Sequence, residues 1–272
     1  SQGAASGQFT LGDLTLDPAA RTVTFRGEPV DLQPREFTIL QELALHAGRV
    51  PRCPAMKLIV TGSTGMVGEG VLLASLANPE VEKVVSVSRK PSGHTHPKLT
   101  EVLVPDFRDL SKVADQLTGF DGCLYGAGIS SAGMSEADYT VVTYETPLRF
   151  AEALVKLNPG MVLCHVSGAH TDSTEQGRVM WARVKGKAEN ALMKLPFKGV
   201  YNFRPGLMRP VDGQKNVKTL FRVLLVLYPV FNLFFPGLDL ADVGRAMFNA
   251  VKSGAPKQVL EVEDIRALAK AG

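Results

Sequence analysis

The chain carries its strongest structural signal in the segment Leu58-Ile59-Val60-Thr61-Gly62-Ser63-Thr64-Gly65-Met66-Val67-Gly68. A short apolar strand runs into a glycine-spaced turn, and an amphipathic helix follows directly. Gly62 lets the backbone turn tightly off the strand, Gly65 lets it approach a phosphate without a Cβ in the way, and Gly68 lets the helix pack against a sheet. The free N–H groups of the first helical turn then point at the anion. The segment therefore predicts a nucleotide-binding unit, and a glycine-rich structural turn is the alternative.

The spacing of this turn resembles that of a known family. Thr-Gly-x-x-Gly-x-x-Gly is similar to the motif of the extended and atypical short-chain dehydrogenase/reductases, which include sugar-nucleotide epimerases and NmrA-like regulators. The resemblance runs from Met56 to the C-terminus. It implies an α/β fold, a doubly wound parallel Rossmann sheet with a small C-terminal substrate lobe, over residues 56–272. Within the motif it implies cofactor contacts from Thr61, Gly62, Thr64, Gly65, Met66, Val67 and Gly68.

The end of the second strand indicates which nicotinamide cofactor is bound. This strand ends in Ser88-Arg89-Lys90, about twenty residues after the glycines, where an acidic residue would bond the ribose 2′-hydroxyl of NAD. No acidic residue stands there. Ser88 can hydrogen-bond, and Arg89 and Lys90 can pair with a dianionic phosphate, so the sequence predicts NADP(H) as the cofactor. Two basic residues in a solvated loop are the alternative.

Later strand ends also resemble the family, and the resemblance implies a role for each of them. Pro105-Asp106-Phe107 matches the segment whose Asp contacts the adenine, although Asp106 is otherwise a helix cap. Gly126-Ala127-Gly128 lets backbone approach the nicotinamide half of the cofactor, or is ordinary turn chemistry. Ser167 stands where the family's Ser polarises the substrate carbonyl. Arg204-Pro205-Gly206 matches the start of the substrate lobe; Arg204 and Pro205 are predicted cofactor contacts, and a loop cap is the alternative for Arg204.

The catalytic position departs from the family pattern. Reductases of the family use Tyr-x-x-x-Lys, whose Tyr is the general acid and whose Lys also bonds the nicotinamide ribose. Here Lys185 is kept, but Trp181 stands in the place of the Tyr, and an indole N–H does not give up a proton at physiological pH. Trp181 is therefore predicted to form part of the wall of the substrate pocket, at the position where the family has its acid. Candidates for another acid in neighbouring segments are Tyr125, Tyr139, Tyr144, His165 and His170.

Two functions are compatible with this substitution. The first is an NADP(H)-dependent reductase whose acid is supplied elsewhere, and it is the preferred interpretation. The second is an NADP(H)-sensing regulator without turnover, as in NmrA-like proteins. Residues 220–235 are the most apolar part of the chain, but Arg222, Pro229, Asn232 and Pro236 interrupt them or follow them at once, which argues against a membrane span. We expect them to line a pocket for a small lipophilic substrate or to form a homodimer face, and not to insert into a membrane, with peripheral membrane contact as the alternative.

Residues 1–55 have a different pattern from the rest of the chain. They predict four short antiparallel strands and one helix that begins at Pro34 and ends at Gly48. Residues 9–52 resemble the front part of an OmpR/PhoB-type winged-helix domain without its recognition helix and wing. Up to Arg52 the segment has five arginines against six acidic residues, so nucleic acid is not an expected partner and a DNA-binding regulator is only a remote alternative. Met56 looks like a native initiator, and a natural fusion, a cloning chimera or a mis-called start would each explain this short appendage.

Composition sets the remaining limits. A chain of 272 residues, 45% hydrophobic, can bury one α/β core plus a small appendage, and a net charge of +3 favours neither nucleic acid nor an anionic membrane as partner. Cys53, Cys123 and Cys164 give no disulfide framework, which predicts a reducing cytoplasm. The spacing of His94-Thr95-His96 suits a metal, but no carboxylate or cysteine lies near it in sequence, so we interpret it as a polar loop and expect no metal.

Overall fold

The structure is a computed structural model that describes residues 9–45, 55–217 and 237–271. The chain divides into two compact units, Ser1–Pro54 and Ala55–Gly272. The apolar segment 220–235, the predicted helix end at Gly48 and Cys53 lie outside the described residues.

The first unit is a small antiparallel sheet with one helix. Its strands follow each other in the order β1 (Phe9–Leu11), β2 (Leu14–Asp17), β3 (Thr22–Phe25) and β4 (Glu28–Val30), and the helix α1 is Pro34–Leu45. The first three strands and the helix start lie where alternation and Pro34 predicted them, whereas the fourth strand, predicted at residues 30–32, is Glu28–Val30. Arg26 and Gly27 both have positive φ, as the tight hairpin between β3 and β4 requires. A small core joins the sheet to the helix through Leu16, Val23, Phe37 and Ala44.

The second unit is built on parallel strands that alternate with helices. Its strands are β5 (Met56–Thr61), β6 (Val81–Ser88), β7 (Leu99–Leu103), β8 (Gly122–Tyr125), β9 (Val162–Val166), β10 (Gly199–Phe203), β11 (Met208–Arg209), β12 (Leu238–Asp239) and β13 (Val259–Leu260). Its α-helices are α2 (Met66–Ala77), α3 (Glu136–Thr140), α4 (Thr146–Leu157), α5 (Met180–Leu192), α6 (Leu240–Ser253) and α7 (Val262–Lys270). A 3₁₀ helix spans Ser111–Leu117, and a π-helical turn, Val141–Glu145, joins α3 to α4.

The main sheet has the strand order β13-β10-β9-β8-β5-β6-β7, and every pair in it is parallel. The chain builds outward from β5 through β6 and β7, then returns to the other side of β5 with β8. The order therefore reverses between β5 and β8, which is where open α/β sheets place their ligands. The predicted doubly wound Rossmann sheet is confirmed.

Both faces of this sheet are covered by helices. Successive side chains of β5 point to opposite faces, so Leu58 and Val60 pack with residues of α2 and α6, whereas Ile59 packs with residues of α4 and α5. Strands buried on both faces read as continuous apolar runs, and this is why the segment before the glycine turn has almost no polar residue.

The three glycines of the turn after β5 differ in whether the fold requires a glycine at their position. Gly62 has φ +77°, and a Cβ on it would lie 2.6 Å from the backbone of Gly126. A Cβ on Gly68 would lie 2.2 Å from the carbonyl oxygen of Gly62, so only glycine lets α2 pack this closely on β5. Gly65 precedes the helix with φ −121°, and a Cβ on it would meet nothing closer than 3.6 Å. Gly62 and Gly68 are therefore required by the fold, and Gly65 is not.

Among the described residues, no helix combines the length and the apolar character needed to cross a bilayer.

We expect Gly68→Ala to lower the free energy of unfolding by about 3 kcal/mol or more, because the clashing atom belongs to backbone that cannot move aside. Urea unfolding followed by circular dichroism measures the loss. The matched control is the exposed Gly160→Ala, where a Cβ has no atom within 4 Å. This change should stay within about 0.5 kcal/mol. Equal stability of the two variants would contradict the close packing of α2 on β5.

Candidate functional site

A cleft of about 640 Å³ opens at the carboxyl edge of the sheet, around the ends of β5, β6 and β8. Most of the residues predicted to contact a cofactor line it. These are Gly62, Thr64, Gly65, Met66, Val67, Ser88, Arg89, Asp106, Phe107, Gly126, Ala127 and Gly128. The lining also includes residues that the sequence did not single out as cofactor contacts, namely Pro105, Arg108, Tyr125, Ile129, Val141, Val142 and Thr146.

The start of α2 faces this cleft without a side-chain cap. Gly65 is its N-cap, and no side chain accepts a hydrogen bond from the first helical turn. The first N–H groups of a helix have no partner within the helix, so those near Met66 and Val67, which line the cleft, are available to an anion. The arrangement suits a pyrophosphate.

Thr61 and Gly68 do not line the cleft but hold its floor together. The Thr61 hydroxyl oxygen accepts hydrogen bonds from the backbone N–H groups of Gly126 and Ala127, each at 3.2 Å, and the side chain is fully buried. It therefore braces the end of β5 against the end of β8. Gly68 is the close contact between α2 and β5. Both residues therefore have a supporting position, and the direct cofactor contacts that the resemblance implied for them stay predictions.

Basic residues stand at one end of the cleft. Arg89 is exposed, and within the described part of the chain its side chain has no ion-pair or hydrogen-bond partner. Arg108 binds both oxygens of Asp106, with Nε at 3.1 Å and Nη2 at 2.8 Å, and these bonds lower the pKa of Asp106. Lys90 is exposed and does not line the cleft, while the Ser88 hydroxyl donates to the Lys90 carbonyl oxygen at 2.6 Å. A basic residue shortly after a strand-end Asp was the signal that could have identified Arg108.

A second group of predicted residues lies at the ends of β9 and α5. Ser167 is buried just beyond β9, and its Oγ lies 3.1 Å from Oγ1 of Thr171. The side chain of Lys185, on α5, lies next to Gly168, the residue that follows Ser167. A Cβ added to Gly168 would be 3.7 Å from Nζ of Lys185. Trp181 is partly buried and precedes Lys185 by four residues, so the two share one face of α5. The structure therefore brings Ser167 and Lys185 together, although neither lines the cleft described above.

Arg204 is not free to bind a cofactor in this structure. Its Nε and Nη2 donate to the two carboxylate oxygens of Glu189 at 3.0 and 2.5 Å, and Nη1 donates to Glu261 at 3.1 Å. Glu189 is fully buried, and a buried charge needs a partner of opposite sign. Arg204 thus fixes α5 to the end of β10, and the adjacent Pro205 is buried. Arg204 and Pro205 do not line the cleft, and the cofactor contacts predicted for them stay predictions.

Three polar residues lie side by side on the neighbouring strands β8, β9 and β10. Tyr125, His165 and Asn202 are register partners on β8, β9 and β10, and all three are buried. Nδ1 of His165 donates to Oδ1 of Asn202 at 2.9 Å. Burial and, next, the positive charge of Lys185 lower the pKa of His165 to about 4, although the bond to Asn202 opposes them. The imidazole is therefore neutral at pH 7.

The His94-Thr95-His96 loop has partners that explain it without a metal. Nε2 of His94 lies 2.7 Å from Oε1 of the buried Glu69, and a ring nitrogen of His96 accepts from the backbone N–H of Lys98 at 3.1 Å. Burial alone would raise the pKa of Glu69, but bonds from the Lys215 backbone, His94 and others outweigh it and lower the pKa. Across residues 9–45, 55–217 and 237–271 no group of three His, Cys, Asp or Glu could hold a metal ion.

Comparison with curated proteins gives partial matches, and no protein-family model matches the chain. The chain is 30% identical over 145 residues to leucinostatins biosynthesis cluster protein T of Purpureocillium lilacinum, which is 52% of each protein. It is 31% identical over 159 residues to protein fmp52-1, mitochondrial, of Aspergillus terreus, covering 54% of this chain and 64% of the relative. A stretch of 50 residues, 18% of this chain, is 44% identical to 23% of the transcriptional regulatory protein QseB of Escherichia coli O157:H7. The chain thus spans about half the length of the first relative, less than a quarter of QseB and under two thirds of fmp52-1.

Solved structures show the same fold. The Bordetella bronchiseptica enzyme WbmG in complex with NAD superposes with a TM-score of 0.58 at 14% identity, over 78% of this chain and 74% of that one. A short chain dehydrogenase from Burkholderia cenocepacia in complex with NADP superposes with a TM-score of 0.55 at 18% identity, over 80% of this chain and 94% of that one. The second unit therefore shares the Rossmann fold of these two dinucleotide complexes.

The neutral imidazole of His165 should make stability depend on pH. Its pKa is about 4 in the fold against 6.5 as its ordinary value, so between these values the unfolded chain binds more protons. The free energy of unfolding is therefore highest above about pH 6.5 and falls as the pH is lowered toward 4. The total decrease is about 3 kcal/mol. We expect His165→Gln to remove most of this fall, as measured by urea unfolding at several pH values.

The control for this measurement is His170→Gln, since His170 is exposed. That variant should keep the pH dependence of the unmodified protein. A His165→Gln variant that loses stability toward pH 4 as steeply as the unmodified protein would contradict a buried neutral imidazole.

Proposed function

We propose that the unit Ala55–Gly272 binds NADP(H) and reduces the carbonyl group of an apolar compound. One observation carries the proposal: the uncapped start of α2, with Gly65 before it, faces a cleft at the point where the strand order reverses. This is the combination that a dinucleotide pyrophosphate needs. Complexes of the similar folds with NAD and with NADP support a nicotinamide dinucleotide as the ligand.

The residues around the cleft fit the parts of the cofactor. The backbone N–H groups of Met66 and Val67 would hold the pyrophosphate. Asp106 and Phe107 would hold the adenine, and Gly126–Gly128 leave room for the nicotinamide half. Arg89 supports the choice of NADP, because its unpaired guanidinium lies at the basic end of the cleft and the strand end beside it has no carboxylate for a ribose hydroxyl.

The proposed chemistry uses residues at the ends of β9 and α5. When bound, the reduced nicotinamide supplies a hydride to a carbonyl carbon. Ser167 would donate a hydrogen bond from Oγ to the carbonyl oxygen, and Lys185 would bond the nicotinamide ribose. The lipophilic character of the substrate is inferred from the apolar segment 220–235. The homodimer and the absence of a nucleic-acid partner stay predictions.

Trp181 favours a second candidate function, NADP(H) sensing without turnover. An indole cannot replace the phenol of the family's acid. Purified protein that binds NADPH but does not oxidise it with a panel of hydrophobic aldehydes, ketones and quinones would favour the sensor. Steady NADPH oxidation with any of these compounds would favour the reductase.

We expect NADPH to raise the thermal midpoint by about 5–10 °C at a hundredfold excess over its Kd, because a ligand of the folded state alone adds about 2.7 kcal/mol. NADH should raise it less. Gly65→Ala should unfold at nearly the same midpoint without ligand and lose most of the rise, since Gly65 lines the cleft and its Cβ would meet no protein atom closer than 3.6 Å. The control Gly160→Ala should keep the full rise. No rise with either nucleotide would overturn the proposal.

A second measurement tests the 2′-phosphate. Arg89→Ala should weaken NADPH binding about tenfold, the loss of one charge-assisted bond, and leave NADH binding unchanged. Titration calorimetry gives both affinities. Lys90→Ala is the matched control, because Lys90 is a neighbouring exposed cation outside the cleft, and it should change neither affinity. An equal effect of the two substitutions would argue against a phosphate contact at Arg89.

A further inference from the structure

A carbonyl reduction needs a proton as well as a hydride, and the family's donor is absent because Trp181 stands in its place. The five other acids suggested by the sequence can be judged by their surroundings. Tyr139 is buried and hydrogen-bonded to Thr143, and burial raises its pKa. The ring of Tyr144 lies 4.5 Å from Nζ of Lys187, which is about 200° round α5 from Lys185. The contacts that these two phenols make are thus with Thr143 and Lys187.

The remaining three candidates are no better suited. Tyr125 packs against Phe150 with ring centroids 5.5 Å apart, and burial raises its pKa. His165 is a neutral imidazole at pH 7 and has no acidic proton to give. His170 is exposed on the loop after Ser167, with a positive φ of 63°. These surroundings favour a water or another side chain as the source of the proton.

Lys185 is a charged group close to the residue that follows Ser167. Its side chain runs along Gly168, the residue that follows Ser167, and its charge acts on His165, which shares a strand face with Ser167. Burial lowers the pKa of Lys185, and the charge of Glu189 only partly opposes this. A lowered pKa makes an ammonium a stronger acid near neutral pH.

Glu189 does not neutralise this ammonium by direct contact. Both of its carboxylate oxygens accept from Arg204, as described above, and within the described part of the chain Nζ of Lys185 has no hydrogen-bond or ion-pair partner. Arg204 thereby keeps both carboxylate oxygens of Glu189 engaged, one helical turn from Lys185. The N–H bonds of Lys185 are left available to a ligand.

We propose that Lys185, through Nζ, is the proton donor of this site and takes over the role that a tyrosine has in the family. This inference rests on the proposed reductase function. The substrate carbonyl carbon gains a hydride from NADPH, and the electron pair of its C–O π bond forms a new O–H bond with a proton from Nζ. The N–H electron pair remains on Nζ as a neutral amine, which then regains a proton from water. The carbonyl compound is reduced by two electrons and NADPH is oxidised by two.

The kinetic test uses the full chain with NADPH and the best carbonyl compound of the panel. Lys185→Arg keeps the positive charge, but a guanidinium does not release a proton at accessible pH. We expect kcat to fall about 100-fold or more while the thermal shift with NADPH persists. The matched control, Lys187→Arg, makes the same exchange at an exposed position of α5 and should leave kcat unchanged.

A second readout does not depend on turnover. Acylation of lysines by an amine-selective reagent, followed by peptide mass spectrometry over a pH series, reports the ionisation of each residue. Lys185 should reach half-maximal labelling at a lower pH than the exposed Lys194, and Lys185→Arg should remove that peptide signal. The pH at which kcat declines in the unmodified protein should match the midpoint of Lys185.

The outcomes separate this inference from the proposed function. If the unmodified protein oxidises NADPH and Lys185→Arg does so at the same rate, Lys185 is not the donor and the reductase function stands. A labelling midpoint of Lys185 equal to or above that of Lys194 also overturns the inference. If the unmodified protein binds NADPH but oxidises none with any carbonyl compound, the reductase function fails and this inference fails with it.

Discussion

The whole second unit depends on a contact between backbones that have no side chain between them. Gly68 of α2 rests on the carbonyl of Gly62, and both lie against Gly126 at the end of β8. Interiors pack at the density of organic crystals, so there is no spare volume at this junction for even a methyl group. The junction brings a helix start, a strand end and the point of strand reversal to one place. The cleft exists because these three elements meet there.

Electrostatics organises the other half of the site. Lys185, Glu189 and Arg204 form a sequence of alternating charges along α5 and the end of β10, with Glu189 fully buried between two cations. Such a group is costly to bury unless it is well bonded, and Arg204 satisfies both carboxylate oxygens. The imidazole of His165 is neutral because burial and, next, the positive charge of Lys185 lower its pKa.

The sequence predicted those features whose cause is local. Gly62 and Gly68 could be interpreted correctly because a positive φ and a close approach are requirements of single positions. The apolar strands followed from runs of buried residues. In contrast, Arg204 was expected at the cofactor because its partners Glu189 and Glu261 are 15 and 57 residues away in the chain. The same holds for His165 and Asn202, which are 37 residues apart, and for Arg108, whose position is set by a loop. Pairings of this kind depend on the strand order and the helix packing, which no short pattern encodes.

The bracing of β5 against β8 by the buried Thr61 hydroxyl has a consequence for how this protein can evolve. The residues that form the cleft floor are constrained by folding, whereas Arg89 at the rim is exposed and bonded to nothing else among the described residues. Mutations at the rim can therefore alter what the cleft binds without a penalty in stability, and mutations at the floor cannot. Most substitutions that proteins tolerate are of the first kind. Under the proposed function, cofactor preference would thus be the property most open to selection, and the pyrophosphate site the least.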